Sequence, residues 1–456
     1  MRSMRRPARF ALTVLAAVSV GSALFVMPAS AGVPIERTPG ETSYDYPLRG
    51  NSNGKTWRGT GSITFANTGA DPLPEVYVRL WSNGVLGCEG YSIAVSNMQG
   101  GAVTASRLAC TELEVTLDAP LMPAASTTIS FDLRIRLPAV DDRFGFHDGL
   151  ALAGTALPIL DVRDDRGWHH APFENLGESF YSVVADYEVT LVTRPALDTA
   201  ATGVVTDRRP TGHHRVKTTY TAEQVRDFAW AAGSLRTVVR SARGTDVVVS
   251  YQPTAVPKRK ARDAADDAIR VLRTLGDAFG DYPYPEVDVV LAGDATFGGM
   301  EYPTIVFSVP NRLTIAHELA HQWFYGTVGN DQYREPWLDE SFATWAMRLP
   351  FAPRAGCKRI SWPSAQAALT NDMGYWARHP TQYGLVYVGG ACMLANLSKR
   401  FGSERFLRVV GRYARGHSMD IARTEDFMGA IERAAERHLD GFNAAAYWAR
   451  WRVEPS

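Results

Sequence analysis

HELAHQWFYGTVGNDQYREPWLDESFA, residues 317–343, decides the reading of this chain. His317 and His321 stand four apart, one helical turn, so both imidazoles leave the same helix face. Glu318 lies beside the first of them, within reach of a water held by a metal between the histidines. Glu340 follows His321 after 18 intervening residues, room for a turn and the start of a second, antiparallel helix. Two imidazoles and a carboxylate hold zinc with a fourth position open to water, the pattern of a catalytic site. A bare HExxH is a weak signal, and the acid inside a helix-compatible WLDESFA strengthens it.

Neighbouring residues suit that geometry. Apolar residues recur at helical spacing from Leu313 to Tyr325, and Gly326 and Gly329 let the chain turn. Pro336 fits the first turn of the next helix, where its missing N–H has no partner to lose. Trp337, Leu338, Phe342 and Ala343 form an apolar stripe that leaves Glu340 to face the metal.

The 456 residues suffice for two or three domains. The formal net charge is +0, and with no long basic run nothing points to a nucleic-acid partner. Residues 1–31 read as a signal peptide: Arg2, Arg5, Arg6 and Arg9, an apolar Phe10–Val26, then Ala29-Ser30-Ala31 as a cleavage site. The expected location is secreted, with membrane attachment only if that leader is retained. Four cysteines fit an oxidising compartment and permit three pairings, of which nearness favours Cys88–Cys110 and Cys357–Cys392.

Residues 32–243 alternate in short runs broken by Gly, Pro, Asn and Asp. Ser62–Phe65, Glu75–Leu80, Thr127–Leu137 and Tyr187–Thr193 read as strands of an all-β saddle or sandwich. Trp168-His169-His170 belongs to a loop there. From 244 to 456 the pattern becomes α+β. Strands are expected at Asp246–Tyr251, Glu286–Ala292 and Thr304–Pro310, and a helix at Ala261–Gly280. The chain is mainly helical past Leu349, with Thr424 as an N-cap.

With these motifs in place, the HELAH helix, Glu340 in WLDESFA and GGMEYP (Gly298–Pro303) resemble the aminopeptidase N family of gluzincin zinc metallopeptidases. DFAWAAG (Asp227–Gly233) and FGDYPYPEVDVV (Phe279–Val290) extend the similarity over most of the chain after the leader. The resemblance implies a β-rich domain followed by a thermolysin-like catalytic domain holding one Zn2+ per chain. The long C-terminal helical domain of larger relatives is expected to be missing. Carried over by position, Glu301 would grip a substrate's free α-amino group, while Gly298 and Gly299 leave room for a peptide along an edge strand. Tyr387, with Tyr383 as rival, would steady the oxyanion. The family's Asn is Tyr302 here, which is expected to reshape the first specificity pocket. A second amino-binding acid has no recognisable counterpart.

The implied activity is removal of N-terminal residues from peptides with a free N-terminus, with Glu318 as general base. A zinc endopeptidase or epoxide hydrolase could use the same metal. A catalytically silent zinc-containing binding protein is the reading from another class, opposed by Glu318 and Tyr387.

Overall fold

The computed structural model describes residues 35–455 apart from 89, 91, 352–356, 358 and 359. The expected leader, residues 1–31, lies outside the described residues.

The first half is all-β. A seven-stranded sheet runs in the order Val204–Thr211, Arg215–Val225, Ala185–Thr193, Gly40–Gly50, Thr56–Ala66, Ser126–Arg136, Ile93–Gln99. Gly40–Gly50 and Ala185–Thr193 pair parallel, and the other neighbours are antiparallel. Strict alternation in Gly40–Gly50 sends Tyr44, Tyr46 and Leu48 inward. They share a core with Val76, Val78 and Val115 of a four-stranded sheet that contains Leu73–Arg79 and Glu112–Leu121. The Cys88–Cys110 disulfide forms in this half.

The second half is α+β. Its mixed sheet comprises β1 (Arg236–Ala242), β2 (Thr245–Tyr251), β3 (Glu286–Leu291), β4 (Gly299–Met300) and β5 (Ile305–Ser308), with α1 (Lys258–Phe279) connecting β2 to β3. The spatial order is β1-β2-β3-β5-β4, which leaves β4 at an edge. Because β1 pairs with β2, this sheet begins at Arg236, ahead of the division expected at 244. Then come α2 (Arg312–Ala320), α3 (Trp337–Ala346), α4 (Met373–Arg378), α5 (Gly390–Phe401), α6 (Ser403–Gly416), α7 (Thr424–His438) and α8 (Ala444–Trp451).

Both faces of this sheet are covered, and alternation divides its side chains between two cores. Val287, Val289, Leu291 and Val306 pack with α1, α2 and the later helices. Val290, Met300, Tyr302, Ile305 and Phe307 join the core of the first half. Glu301, between Met300 and Tyr302, borders the cleft described below instead. Tyr302 is fully buried, and a Cβ on Gly154 would lie 1.8 Å from its hydroxyl. It is not among the residues that line the cleft described below.

Two local expectations also differ. The apolar run to Tyr325 does not continue α2, which ends at Ala320 with His321 as its C-cap. Tyr325 then adopts φ 117 ahead of Gly326, and Trp323 and Phe324 pack inward on the turn. Thr424 is the first helical residue of α7 rather than its cap. Its hydroxyl accepts the Trp337 indole N–H at 2.9 Å, while the Asp426 carboxylate accepts the N–H of Arg423 at 2.8 Å.

Candidate metal centre and cleft

Asn311 caps α2, its side chain accepting the N–H groups of Leu313 and Thr314, which fixes where the helix starts. From that start His317 and His321 fall on one face, and their Nε2 atoms lie 3.2 Å apart. His321 Nδ1 donates to the carbonyl of Phe324 at 3.0 Å, keeping its proton there and leaving Nε2 as a lone pair. In the first turn of α3, Glu340 Oε2 lies 3.1 Å from His317 Nε2 and 3.6 Å from His321 Nε2.

This triangle is the test of whether the residues fit zinc. Tetrahedral bonds of 2.0–2.1 Å require ligand atoms roughly 3.4 Å apart. All three edges lie near that value. The donor set, two imidazoles and a carboxylate, is also that of catalytic zinc.

Electrostatics point the same way. Glu178, Glu301, Glu318, Asp339 and Glu340 are all buried around the triangle. Burial, and then the charge of Glu301, pushes the Glu318 carboxyl well above its ordinary range. Burial also raises Glu301, with the charge of Glu340 adding to it. For His321 burial opposes charge, but Glu301, Glu340 and Glu318 outweigh it and hold the imidazole well above its usual value. So much buried negative charge is stable only beside cations.

A cleft of about 620 Å³ opens over the triangle. His317, Glu318, Glu340, Glu301, Gly298, Gly299 and Tyr387 all border it, so every expected site residue except the deeper His321 faces this one space. Tyr387 donates to Glu340 Oε1 at 2.7 Å. It sits in a π-helical turn, Leu385–Gly389, whose Val386 carbonyl accepts the Ser341 hydroxyl at 2.5 Å. Gly390 lets α5 close on α3, since a Cβ there would lie 1.8 Å from Ser341 Oγ. The rival Tyr383 is buried and stacks edge-on against Tyr387. Cys357–Cys392 forms, with Cys392 in the first turn of α5.

Three groups at the site escaped the sequence reading. Glu178, from the first half, has a carboxylate oxygen within 4.8 Å of those of Glu301 and Glu340. The guanidinium of Arg143 pairs with Glu178, donates to the Gly177 carbonyl at 3.1 Å and touches Met300 Sδ at 3.2 Å. Gln332 donates to Asp339 Oδ2 at 2.7 Å and reaches Glu301 Oε1 at 3.4 Å, tying Glu301 to α3. No periodicity or spacing marks any of these, because they arrive from loops far apart in the chain.

Trp168 ends a two-residue strand, Gly167–Trp168. His169 is buried and pairs through Nε2 with Asp331 Oδ1 at 3.0 Å, pinning the loop that carries Gln332. His170 approaches Glu112 at 3.0 Å, but the Arg79 guanidinium already occupies that acid at 2.9 Å. A fixed cation there leaves no place for a metal.

A two-histidine, one-glutamate centre on α2 and α3, beneath an edge strand and behind an all-β half, defines a gluzincin-type metallopeptidase architecture. Residues 264–373 match the Peptidase family M1 domain. Aminopeptidase N of Streptomyces lividans is 32% identical over 153 residues, 29% of this chain and 18% of that protein. The alanine/arginine aminopeptidase of Saccharomyces cerevisiae is 28% identical over 211 residues, 39% of this chain and 24% of that one. The chain thus spans less than a quarter of the length of these curated relatives. The fold is like that of a two-domain M1 zinc metallopeptidase variant solved with L-arginine, at TM-score 0.63, 18% identity and coverage of 91% of this chain and 94% of that one. The M1 zinc metallopeptidase of Deinococcus radiodurans superposes at 0.62, with 19% identity and 91% and 93% coverage. The family match covers residues 264–373 and is to a domain that implies zinc, and the likeness to the solved structures extends the same two-domain fold over most of the chain.

Proposed function

We propose that this chain is an exported zinc-dependent aminopeptidase, with one Zn2+ held by His317, His321 and Glu340, that removes N-terminal residues from peptides with a free N-terminus. One observation carries the reading: the metal triangle, Glu318 and the Glu178–Glu301 pair border a single cleft beside an edge strand. Bound zinc would polarise the scissile carbonyl and lower the pKa of a water towards ~7.

The chain's own residues do the rest. Glu318 accepts a proton from the attacking water and passes it to the departing amine. Tyr387 turns its hydroxyl from Glu340 towards the developing oxyanion. Glu301 and Glu178 hold the substrate ammonium, and Arg143 fixes Glu178 in place, so the first peptide bond is the one presented. An extended peptide can add to the free edge of β4, where Gly298 and Gly299 offer no side chain to block it.

Metal analysis with an aminoacyl-anilide assay, chelation and zinc add-back tests this. Activity should vanish with chelator, return with zinc and be absent on N-acetylated peptides. Cleavage of blocked peptides at the same rate would favour the endopeptidase reading, and zinc binding without any hydrolysis would favour the silent one. Export rests on the composition of residues 1–31. Recovery of mature protein beginning at Gly32 outside the cells is the expected outcome. Among the described residues no helix is long and apolar enough to cross a membrane.

A further inference from the structure

The cleft wall carries charged residues that the aminopeptidase reading does not use, Asp142 and Arg348. Around Glu301 lie Glu178 and Arg143. Away from it, the start of α2 meets the segment that follows α3, where Arg312 stacks on Phe351 at 5.0 Å. There the wall consists of Leu313, Thr314, Thr344, Met347, Val388 and Arg348. Arg348 is the one charged residue of this group, and its guanidinium has no hydrogen-bond or ion-pair partner among the described residues. Leu313 and Val388 are 41% and 52% exposed, so this end is open to a ligand.

We infer that Arg348 receives the C-terminal carboxylate of a short peptide whose ammonium lies at Glu301 and whose first peptide bond lies over the metal triangle. This rests on the aminopeptidase reading and names its substrate class: tripeptides with a free C-terminus. Arg348 stands two residues past the end of α3 at Ala346, on the wall of the same cleft as Glu301 and Glu340. An extended chain advances roughly 3.3 Å per residue, so a carboxylate two residues past the scissile bond lies roughly 7 Å beyond it. A guanidinium offers that carboxylate two parallel N–H donors.

The test compares Ala-Ala-Ala with its C-terminal amide, in the native protein and in Arg348→Ala and Arg348→Lys. The free acid should have a KM about tenfold below the amide, and Arg348→Ala should bring the ratio near one while Arg348→Lys retains part of it. Titration calorimetry of the same two peptides into Glu318→Gln protein reads the preference without turnover and should show the same tenfold gap. Equal affinity for acid and amide overturns the inference, as does a gap that survives Arg348→Ala. Recovery of affinity by Ala-Ala-Glu-amide overturns the terminal assignment in favour of side-chain recognition. Failure of the aminopeptidase reading itself shows separately, as absence of anilide hydrolysis by zinc-loaded native protein.

Discussion

A Cβ on Gly299 would lie 2.1 Å from Oε1 of Glu318, so the edge strand β4 and the helix bearing HExxH meet at a point where only glycine fits. Gly298, by contrast, faces open space and needs glycine for its φ of +81. The two neighbours are small for different reasons.

Gly299→Ala should push the Glu318 carboxylate aside while leaving the metal triangle intact. A displacement near 1 Å costs on the order of 10²-fold in turnover. Zinc content by mass spectrometry should stay at the native level while kcat on an aminoacyl anilide falls by that factor. Loss of zinc in step with activity would contradict it.

Glu318→Gln should keep zinc and lose turnover, since the amide cannot take the proton. His321→Ala should lose both, because it removes a donor and the Phe324 carbonyl anchor along with it. Measurable peptide cleavage by the metal-replete Gln variant would refute the general-base role.

Tyr387→Phe deletes a hydroxyl that now rests on Glu340 Oε1. The expected loss is ~10²–10³ in kcat with little change in KM, the mark of a contact made in the transition state. A rise in KM alone would assign the phenol to ground-state binding.

Glu301→Ala should raise KM for free-amine peptides. N-acetylated analogues, which carry no ammonium, should bind the variant and the native protein alike. An equal effect on both classes would remove the anchor role.

Asp227, at the junction between the halves, predicts a pH dependence of stability. It is buried, with the N–H of Phe228 at 2.6 Å as its contact, and burial pushes its carboxyl up to about 7. The folded state therefore keeps a proton that the unfolded chain releases near pH 4. Its contribution is full below that pH, falls by roughly 1.4 kcal/mol per unit as pH rises and levels off above about 7. Between pH 5 and 8 the native protein should lose about 3 kcal/mol that Asp227→Asn does not lose. Urea unfolding at both pH values measures the difference.

The metal triangle was legible because its three ligands lie within 24 consecutive residues and obey helical spacing. The strands of the first half were legible from their alternation, and the disulfides from nearness. Glu178 and Arg143 were not, since their role depends on how a loop of one half meets the other. Gln332 sits in a turn whose path is set by His169 and Asp331. The end of α2 was missed because Trp323 and Phe324 are as apolar as a continuing helix would require, yet they bury themselves on a turn. Tyr302 reads as a specificity change in the sequence, whereas the fold buries it in the core of the first half.

The carboxylate pair proposed to meet the substrate ammonium draws Glu301 from the half that carries the two-histidine, one-glutamate triangle and Glu178 from the half that does not. The two halves are consequently not exchangeable modules. Grafting a foreign β-domain onto residues 236–455 would preserve a hydrolytic engine but strip away half of the reader that tells it where a peptide begins.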